Sequence, residues 1–135
     1  MIHAISTSIH LSDTDASGRI FFGSLFRICE QSFESLLVSI GLPIEQWVNG
    51  PLPFLPIRRC GAEYTNPLSI GDQISVKIDS LEIGSSSVTL KYSVAKEKTG
   101  VVCATAEVVH VAVDNKTGQK TNVPEIFREK IKGLI

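Results

Sequence analysis

The residues best suited to chemistry lie near the start of the chain, in the segment L-S-D-T-D-A-S-G-R-I-F-F, residues 11–22. Two aspartates and a serine alternate with other residues before Gly18, which is the spacing that opens an EF-hand calcium loop. Such a loop requires a bidentate Glu at its twelfth position, and that position is Ser24 when Asp13 is the first. The preceding residues also alternate like a strand, whereas an EF-hand loop follows a helix. The sequence therefore disfavours a calcium site.

Two other interpretations of this segment remain open. Asp, Ser and Gly are common in turns because their side chains or backbone satisfy tight geometries, so a strand-to-helix turn explains them without any function. In that case Asp13 caps the turn by accepting backbone N–H bonds, and Gly18 supplies an unusual backbone conformation. In the other interpretation Asp15 is catalytic. The free N–H groups of a following helix start would polarise a carbonyl oxygen while the carboxylate acts on the carbonyl carbon.

A helix of about 16 residues is predicted to begin near Ser24, because apolar residues then recur with helical spacing. Gly41 is well placed as the residue that ends this helix, and Pro43 prevents its continuation. Glu30 and Glu34 lie off the apolar stripe and are interpreted as solvated. The predicted stripe contains Phe26, Cys29, Phe33, Leu36, Leu37 and Ile40.

The elements around this helix are predicted to be strands. Residues 2–11 show a moderate strand pattern, and four extended segments follow a proline-rich stretch at 42–56. A short helix near Pro124 ends the chain. One helix packed against a long antiparallel sheet accounts for this order, which makes residues 1–135 a single α+β domain. The four later strands are predicted at 57–64, 73–83, 87–96 and 101–113.

Composition excludes several classes of partner. The chain has a net charge of -1 and no basic stripe, so no nucleic-acid partner is expected. No apolar run reaches the roughly 18 residues that span a bilayer, and no signal peptide is visible, so no membrane partner is expected. Three widely spaced cysteines fit a reducing cytoplasm.

Other catalytic and metal-binding patterns were not found. Cys29 lies on the apolar stripe and is interpreted as a buried structural thiol. No G-x-S-x-G nucleophile segment is present, and the three histidines, His3, His10 and His110, have no metal-ligand spacing. No metal site is therefore expected.

A resemblance to a known family favours one of the two interpretations of the aspartate segment, the one in which Asp15 is catalytic. The D-T-D-A-S-G segment with Phe21-Phe22, followed by a helix carrying two glutamates, resembles the 4-hydroxybenzoyl-CoA thioesterase family of hotdog-fold proteins. Ala62-Glu63-Tyr64, Pro67 and Gly71-Asp72 are similar to that family's second-strand signature, Y-x-x-P-x-x-x-G-D. The resemblance implies a hotdog fold, in which a long antiparallel sheet wraps around one central helix.

The resemblance also implies the chemistry of the site. Asp15 matches the family's catalytic carboxylate, which acts as a nucleophile or as a general base for water. The oxyanion donor is expected to be the backbone N–H of Phe22, at the helix start. Related acyl-CoA thioesterases often carry Tyr-His where this chain has Phe21-Phe22, so an aromatic acyl group is favoured. The residues expected to contact the substrate are Gly18, Phe21, Phe54, Arg58 and Arg59.

The expected substrate follows from the same resemblance. Within the family, the aspartate segment and L-P-F-L-P look most like members that hydrolyse 1,4-dihydroxy-2-naphthoyl-CoA in phylloquinone or menaquinone biosynthesis. The alternatives are 4-hydroxybenzoyl-CoA, a fatty acyl-CoA, or a non-catalytic module that binds acyl groups. No cofactor is expected, since CoA is part of the substrate. A homodimer or homotetramer with sites between subunits is implied.

Overall fold

The computed structural model describes residues 1–135 and contains one sheet, two α-helices and two short 3₁₀ helices. The 3₁₀ helices are Leu11–Asp13 and Ile44–Gln46. No helix is long and apolar enough to cross a bilayer. The strands are β1 (His3–Ser8), β2 (Ile57–Tyr64), β3 (Gln73–Ile83), β4 (Ser87–Lys96) and β5 (Val102–Val111), and the helices are α1 (Ser24–Ser39) and α2 (Glu125–Lys132).

The sheet is antiparallel throughout, and its strand order is β1-β3-β4-β5-β2. Strands β3, β4 and β5 form successive hairpins, as their alternating sequences predict. Strand β2 pairs with β5 at one edge, so the chain must cross the sheet between β2 and β3. Almost every residue of β2 is exposed. The edge at β2 therefore leaves a row of backbone groups without a neighbouring strand.

Helix α1 packs against one face of the sheet, and its observed bounds confirm the predicted helix. The Ser32 hydroxyl donates to the Val76 carbonyl oxygen at 3.1 Å, which ties the helix to β3. The predicted stripe was wrong at two positions, because Phe26 and Ile40 are only partly buried. Their places against the sheet are taken by Leu25 and Ile28, since the buried face spans a wider arc than one stripe. The buried residues are Leu25, Ile28, Cys29, Ser32, Phe33, Leu36 and Leu37.

The two ends of α1 differ. At its C-terminus Gly41 has a φ of +80°, the Leu42 N–H donates to Leu37 O at 2.9 Å, and the Gly41 N–H donates to Val38 O at 3.1 Å. This Schellman arrangement confirms the predicted role of Gly41. At the N-terminus Gly23 provides no side-chain cap. Helix α1 therefore begins without a side chain that accepts its first N–H groups.

The predicted strand at 2–11 was wrong beyond Ser8. Strand β1 ends there, and Leu11–Asp13 forms a 3₁₀ turn in which Leu11 is 75% exposed. The physical reason is that the His10 N–H donates to the Asp13 carboxylate at 2.8 Å instead of to a neighbouring strand. The strand predicted at 101–113 was also too long, since β5 occupies Val102–Val111.

Candidate active site

The aspartate segment forms a tight hairpin-like turn. The Asp15 N–H donates to Arg19 O at 3.0 Å, and the Gly18 N–H donates to Asp15 O at 3.0 Å. Gly18 has a φ of +77°, which is a left-handed conformation. A residue in this conformation follows the type I turn in a three-residue hairpin loop. A Cβ built on Gly18 would have nothing within 4 Å. Backbone conformation, and not space, therefore requires glycine at this position.

The Asp15 carboxylate is organised by the same turn. Its Oδ1 accepts the Ser17 N–H at 2.8 Å and the Ser17 hydroxyl at 2.5 Å. These bonds, the hydroxyl first, hold the pKa of Asp15 below its ordinary value because they favour the charged form. The side chain is exposed, and Oδ2 makes no hydrogen bond within the chain. Asp15 therefore presents an ionised carboxylate with one oxygen available.

Asp13 has a structural role. Its side chain is 1% exposed, and its carboxylate accepts the His10 N–H and the Arg27 guanidinium. Its carbonyl oxygen accepts the Phe21 N–H at 2.9 Å. These bonds confirm that Asp13 caps the turn, and they add an ion pair with α1 that the sequence pattern did not indicate. The pair anchors the turn to the helix that follows it.

Two short bridges place the turn beside the segment that precedes β3. Thr14 pairs with Ile20 across the turn, and Arg19 pairs with Ser69. The Ile20 N–H also donates to Leu68 O at 2.8 Å. Because both arms of the turn are fixed, the chain leaves it in one direction and delivers Phe21 and Phe22 to the start of α1.

The start of α1 leaves the N–H groups of Phe22 and Gly23 without an acceptor, and Phe22 is the nearer of the two to Asp15 in the sequence. The Phe21 N–H donates to Asp13 O, and the Ser24 N–H donates to Phe21 O at 2.9 Å, whereas the Phe22 N–H has no acceptor in the chain. The two Phe rings are exposed, and their centroids lie 4.6 Å apart. An unpaired N–H at a helix N-terminus, where the helix dipole is positive, can donate to a ligand oxygen that gains negative charge.

A cavity of about 370 Å³ adjoins this helix start and contains a residue that the sequence interpretation did not assign. The Tyr64 hydroxyl, at the end of β2, donates to the Phe22 carbonyl oxygen. Partial burial raises the pKa of Tyr64, so the hydroxyl keeps its proton near neutral pH. The signal in the sequence was the Tyr of the Y-x-x-P signature. The cavity is lined by Arg19, Ile20, Phe22 and residues 64–68.

None of the five residues predicted to bind substrate lines this cavity, although Gly18 and Phe21 are sequence neighbours of residues that do. Phe54 lines a second cavity of about 190 Å³, between α1 and the segment that precedes β2. Arg59 lies 3.5 Å from Glu107, which alternates along β5 with the buried Ala106 and Val108. Arg59 is therefore on the sheet face that points away from α1. Arg58 makes no ion pair within the chain.

The second cavity contains a hydrogen-bonded pair, His110 and Glu30, that links distant parts of the chain. His110 is 2% exposed, and its Nδ1 lies 2.8 Å from Leu55 O. Its Nε2 lies 3.2 Å from Glu30 Oε1. Both ring nitrogens therefore lie within hydrogen-bond distance of oxygen atoms from other segments, which fixes the orientation of the imidazole ring. The interpretation of Glu30 as simply solvated was wrong, because the pair holds α1 against Leu55.

Comparison with solved structures identifies the fold. A 1,4-dihydroxy-2-naphthoyl-CoA thioesterase from Synechocystis superposes with a TM-score of 0.90 at 20% identity, over 98% of this chain and 96% of that one. A thioesterase-like structure from Prochlorococcus marinus, described as putative in function, gives a TM-score of 0.88 at 25% identity over 98% and 96%. The sheet wrapped around α1 is thus the hotdog fold, which confirms the expected architecture.

The sequence comparison identifies the family. The model of the thioesterase-like superfamily matches residues 9–131, and the chain belongs to that superfamily. A 1,4-dihydroxy-2-naphthoyl-CoA hydrolase from Rippkaea orientalis is 29% identical over 126 residues, which are 93% of this chain and 91% of the relative. A hydrolase of the same name from Thermosynechococcus vestitus is 28% identical over 118 residues, with 87% and 80% covered.

Proposed function

We propose that the protein hydrolyses an aromatic acyl-CoA thioester, and that this thioester is 1,4-dihydroxy-2-naphthoyl-CoA. The observation that carries the proposal is the pairing of two available groups on one short stretch of chain. An ionised carboxylate with a free oxygen at Asp15 precedes an unpaired N–H at Phe22, and a fixed turn joins them. Hydrolysis of a thioester needs both kinds of group.

Each group has a defined task. The Phe22 N–H donates to the thioester carbonyl oxygen, and the donation strengthens as that oxygen gains negative charge in the transition state. Asp15 then acts in one of two ways. Its oxygen bonds to the carbonyl carbon, the C–S bond breaks with release of CoA thiolate, and water hydrolyses the resulting anhydride. In the other way, Asp15 takes a proton from a water molecule whose oxygen attacks the same carbon, and the C–S bond then breaks to release CoA thiolate and the free acid.

The aromatic substrate is supported by side chains and by relatives. Phe21 and Phe22 expose a pair of rings beside the free N–H, and such a pair suits an aromatic acyl group. Relatives of nearly full length are named 1,4-dihydroxy-2-naphthoyl-CoA hydrolases. This substrate would place the protein in phylloquinone or menaquinone biosynthesis. The reaction needs no separate cofactor.

The proposed assembly is a homodimer, and two such dimers would form a homotetramer. Strand β2 is a long, exposed edge of eight residues, and a second copy would satisfy its unpaired backbone groups. Arg58 and Arg59 lie on this edge strand. A partner would therefore bring basic side chains to a neighbouring site, where CoA phosphates could bind them.

The proposal is tested by measuring free thiol release from a panel of acyl-CoAs. The panel contains 1,4-dihydroxy-2-naphthoyl-CoA, 4-hydroxybenzoyl-CoA, benzoyl-CoA and palmitoyl-CoA. We expect the first to have the highest kcat/KM, by about tenfold or more, which corresponds to about 1.4 kcal/mol of transition-state binding. A higher value for palmitoyl-CoA would overturn the aromatic assignment. Binding of every compound without thiol release would show a non-catalytic acyl-binding module instead.

A further inference from the structure

The start of α1 has a tether that the proposed chemistry does not itself require. Gly23 offers no side-chain cap, and yet the carbonyl of the preceding residue accepts a hydrogen bond from the Tyr64 hydroxyl. We propose that Tyr64 is a positioning residue that holds the Phe22 N–H in the direction needed to bind the thioester oxygen. This inference rests on the proposed function, since it assigns Tyr64 a part in that reaction.

The geometry of two adjacent peptide groups supports the inference. A peptide group is planar, so the direction of the Phe22 N–H is set by the plane that it shares with the Phe21 carbonyl. The Ser24 N–H holds that carbonyl at 2.9 Å. The Tyr64 hydroxyl holds the next carbonyl, that of Phe22. With both planes fixed, φ and ψ at Phe22 have little freedom, and the N–H keeps one direction.

Tyr64 is itself fixed to the sheet. It pairs with Ala104 at the end of β2, and the next two residues, Thr65 and Asn66, donate their N–H groups to Cys103 O at 2.8 and 3.1 Å. Because the backbone at Tyr64 is anchored in this way, the bond from the Tyr64 hydroxyl fixes the helix start relative to the sheet. Preorganisation of this kind matters in catalysis, because a displacement of about 1 Å can cost about 100-fold in rate.

The chain offers a matched control in its other tyrosine. Tyr92 is buried in β4, and its hydroxyl has no hydrogen-bond partner. The Tyr92→Phe variant removes the same atom from the same residue type without breaking a bond. We expect Tyr92→Phe to keep wild-type activity and a thermal midpoint at or above the wild-type value, since an unpaired buried hydroxyl is unfavourable.

The kinetic test compares Tyr64→Phe with Tyr92→Phe on 1,4-dihydroxy-2-naphthoyl-CoA. A lost transition-state contact lowers kcat and leaves KM nearly unchanged, so we expect Tyr64→Phe to reduce kcat about 10- to 100-fold. We expect its KM to stay within about threefold. A wild-type kcat in Tyr64→Phe, or equal losses in the two variants, would overturn the inference.

A second measurement separates this inference from the proposed function. Backbone amide spectra of Tyr64→Phe should show chemical-shift changes at Phe22, Gly23 and Ser24, and faster hydrogen exchange at Ser24, whose N–H is bonded to the Phe21 carbonyl. Tyr92→Phe should not change these amides. Unchanged amides at residues 22–24 in Tyr64→Phe would overturn the positioning role, whatever the activity. Absence of turnover in the wild-type protein would instead defeat the proposed function, while the amide spectra still decide whether Tyr64 orients the helix start.

Discussion

Two turns in this molecule begin with an aspartate and have similar local hydrogen bonds and backbone conformations. Asp15 is exposed and Asp114 is partly exposed, and each accepts hydrogen bonds from residues two or three positions later. In both cases these bonds hold the pKa of the aspartate below its ordinary value. A left-handed glycine closes each turn, with φ of +77° at Gly18 and +71° at Gly118.

The turns differ in what surrounds the carboxylate. The Asp114 turn lies in a cavity of about 570 Å³ that also contains Pro124, at the start of α2. Helix α2 has an acidic residue, Glu125, in its first turn, whereas α1 has none. A carboxylate there neutralises the positive end of the helix and repels an oxyanion. Both turns therefore provide an ionised aspartate, and the helix starts differ because only α1 has no carboxylate in its first turn. This difference is the reason that we propose Asp15, and not Asp114, as the reactive aspartate.

The largest predicted difference between the turns is catalytic. Asn keeps the oxygen that accepts the turn's N–H bond, so Asp15→Asn should fold normally. It loses the nucleophile or base, and we expect kcat on 1,4-dihydroxy-2-naphthoyl-CoA to fall about 1,000-fold. The matched variant Asp114→Asn should keep wild-type kcat. Initial rates of thiol release measure both, and a comparable loss in the two variants would contradict the distinction drawn between the turns.

An intermediate effect is expected at the two glycines. Gly18→Ala and Gly118→Ala each force a Cβ into a left-handed conformation, although neither Cβ would meet an atom within 4 Å. Each should therefore reduce the free energy of unfolding by about 1 kcal/mol, measured by urea denaturation. Only Gly18→Ala should also reduce kcat, because it distorts the turn that holds Asp15. Equal kcat values for the two variants would show that the Asp15 turn does not need its geometry for activity.

The smallest effect is a shift of a pKa. Ser17→Ala removes the hydroxyl bond that contributes most to lowering the pKa of Asp15, so that pKa should rise toward its ordinary value. The acid limb of kcat/KM should move to higher pH by the same amount. Thr117→Ala, at the matching position of the other turn, should leave the acid limb unchanged. Carboxyl carbon shifts followed by NMR during acidification measure the pKa directly.

The lowered pKa of Asp15 also makes the stability of the protein depend on pH. A carboxylate whose pKa is lower in the folded state stabilises the fold above its unfolded pKa, and loses this contribution as pH falls through the folded value. The contribution of Asp15 is small because the side chain is exposed. The stability of Ser17→Ala should therefore differ little from that of the wild type at neutral pH. A large difference there would indicate that Ser17 has a packing role.

Local features of the fold were predictable because they depend on neighbours in sequence. The bounds of α1 and of strands β2, β3 and β4 follow from hydrophobic period and from turn residues such as Gly41 and Gly84. The placement of β1 and β2 at opposite sheet edges was not predictable. It depends on pairings between distant segments, and no local pattern encodes those pairings.

In the candidate site, too, local features were predictable from the sequence and contacts between distant residues were not. The turn at Asp15 and the helix start at Phe22 were indicated by their own residues, whereas Tyr64 bonds to Phe22 across 42 positions and His110 to Glu30 across 80. The face of the sheet on which Arg59 lies was also not predictable from the sequence. The pairing of β2 with β5 shifts register between Ile57 and Arg59, and a shift of one residue reverses the face on which a side chain lies.

The most direct test of the account is to measure binding and turnover together in Asp15→Asn. Titration of the variant with 1,4-dihydroxy-2-naphthoyl-CoA should give a dissociation constant within about threefold of the wild-type KM, because Phe22 and the cavity are unchanged. CoA release from the bound substrate should be slower by about 1,000-fold. Release at a rate within tenfold of the wild type would contradict the central claim that the Asp15 carboxylate acts on the thioester.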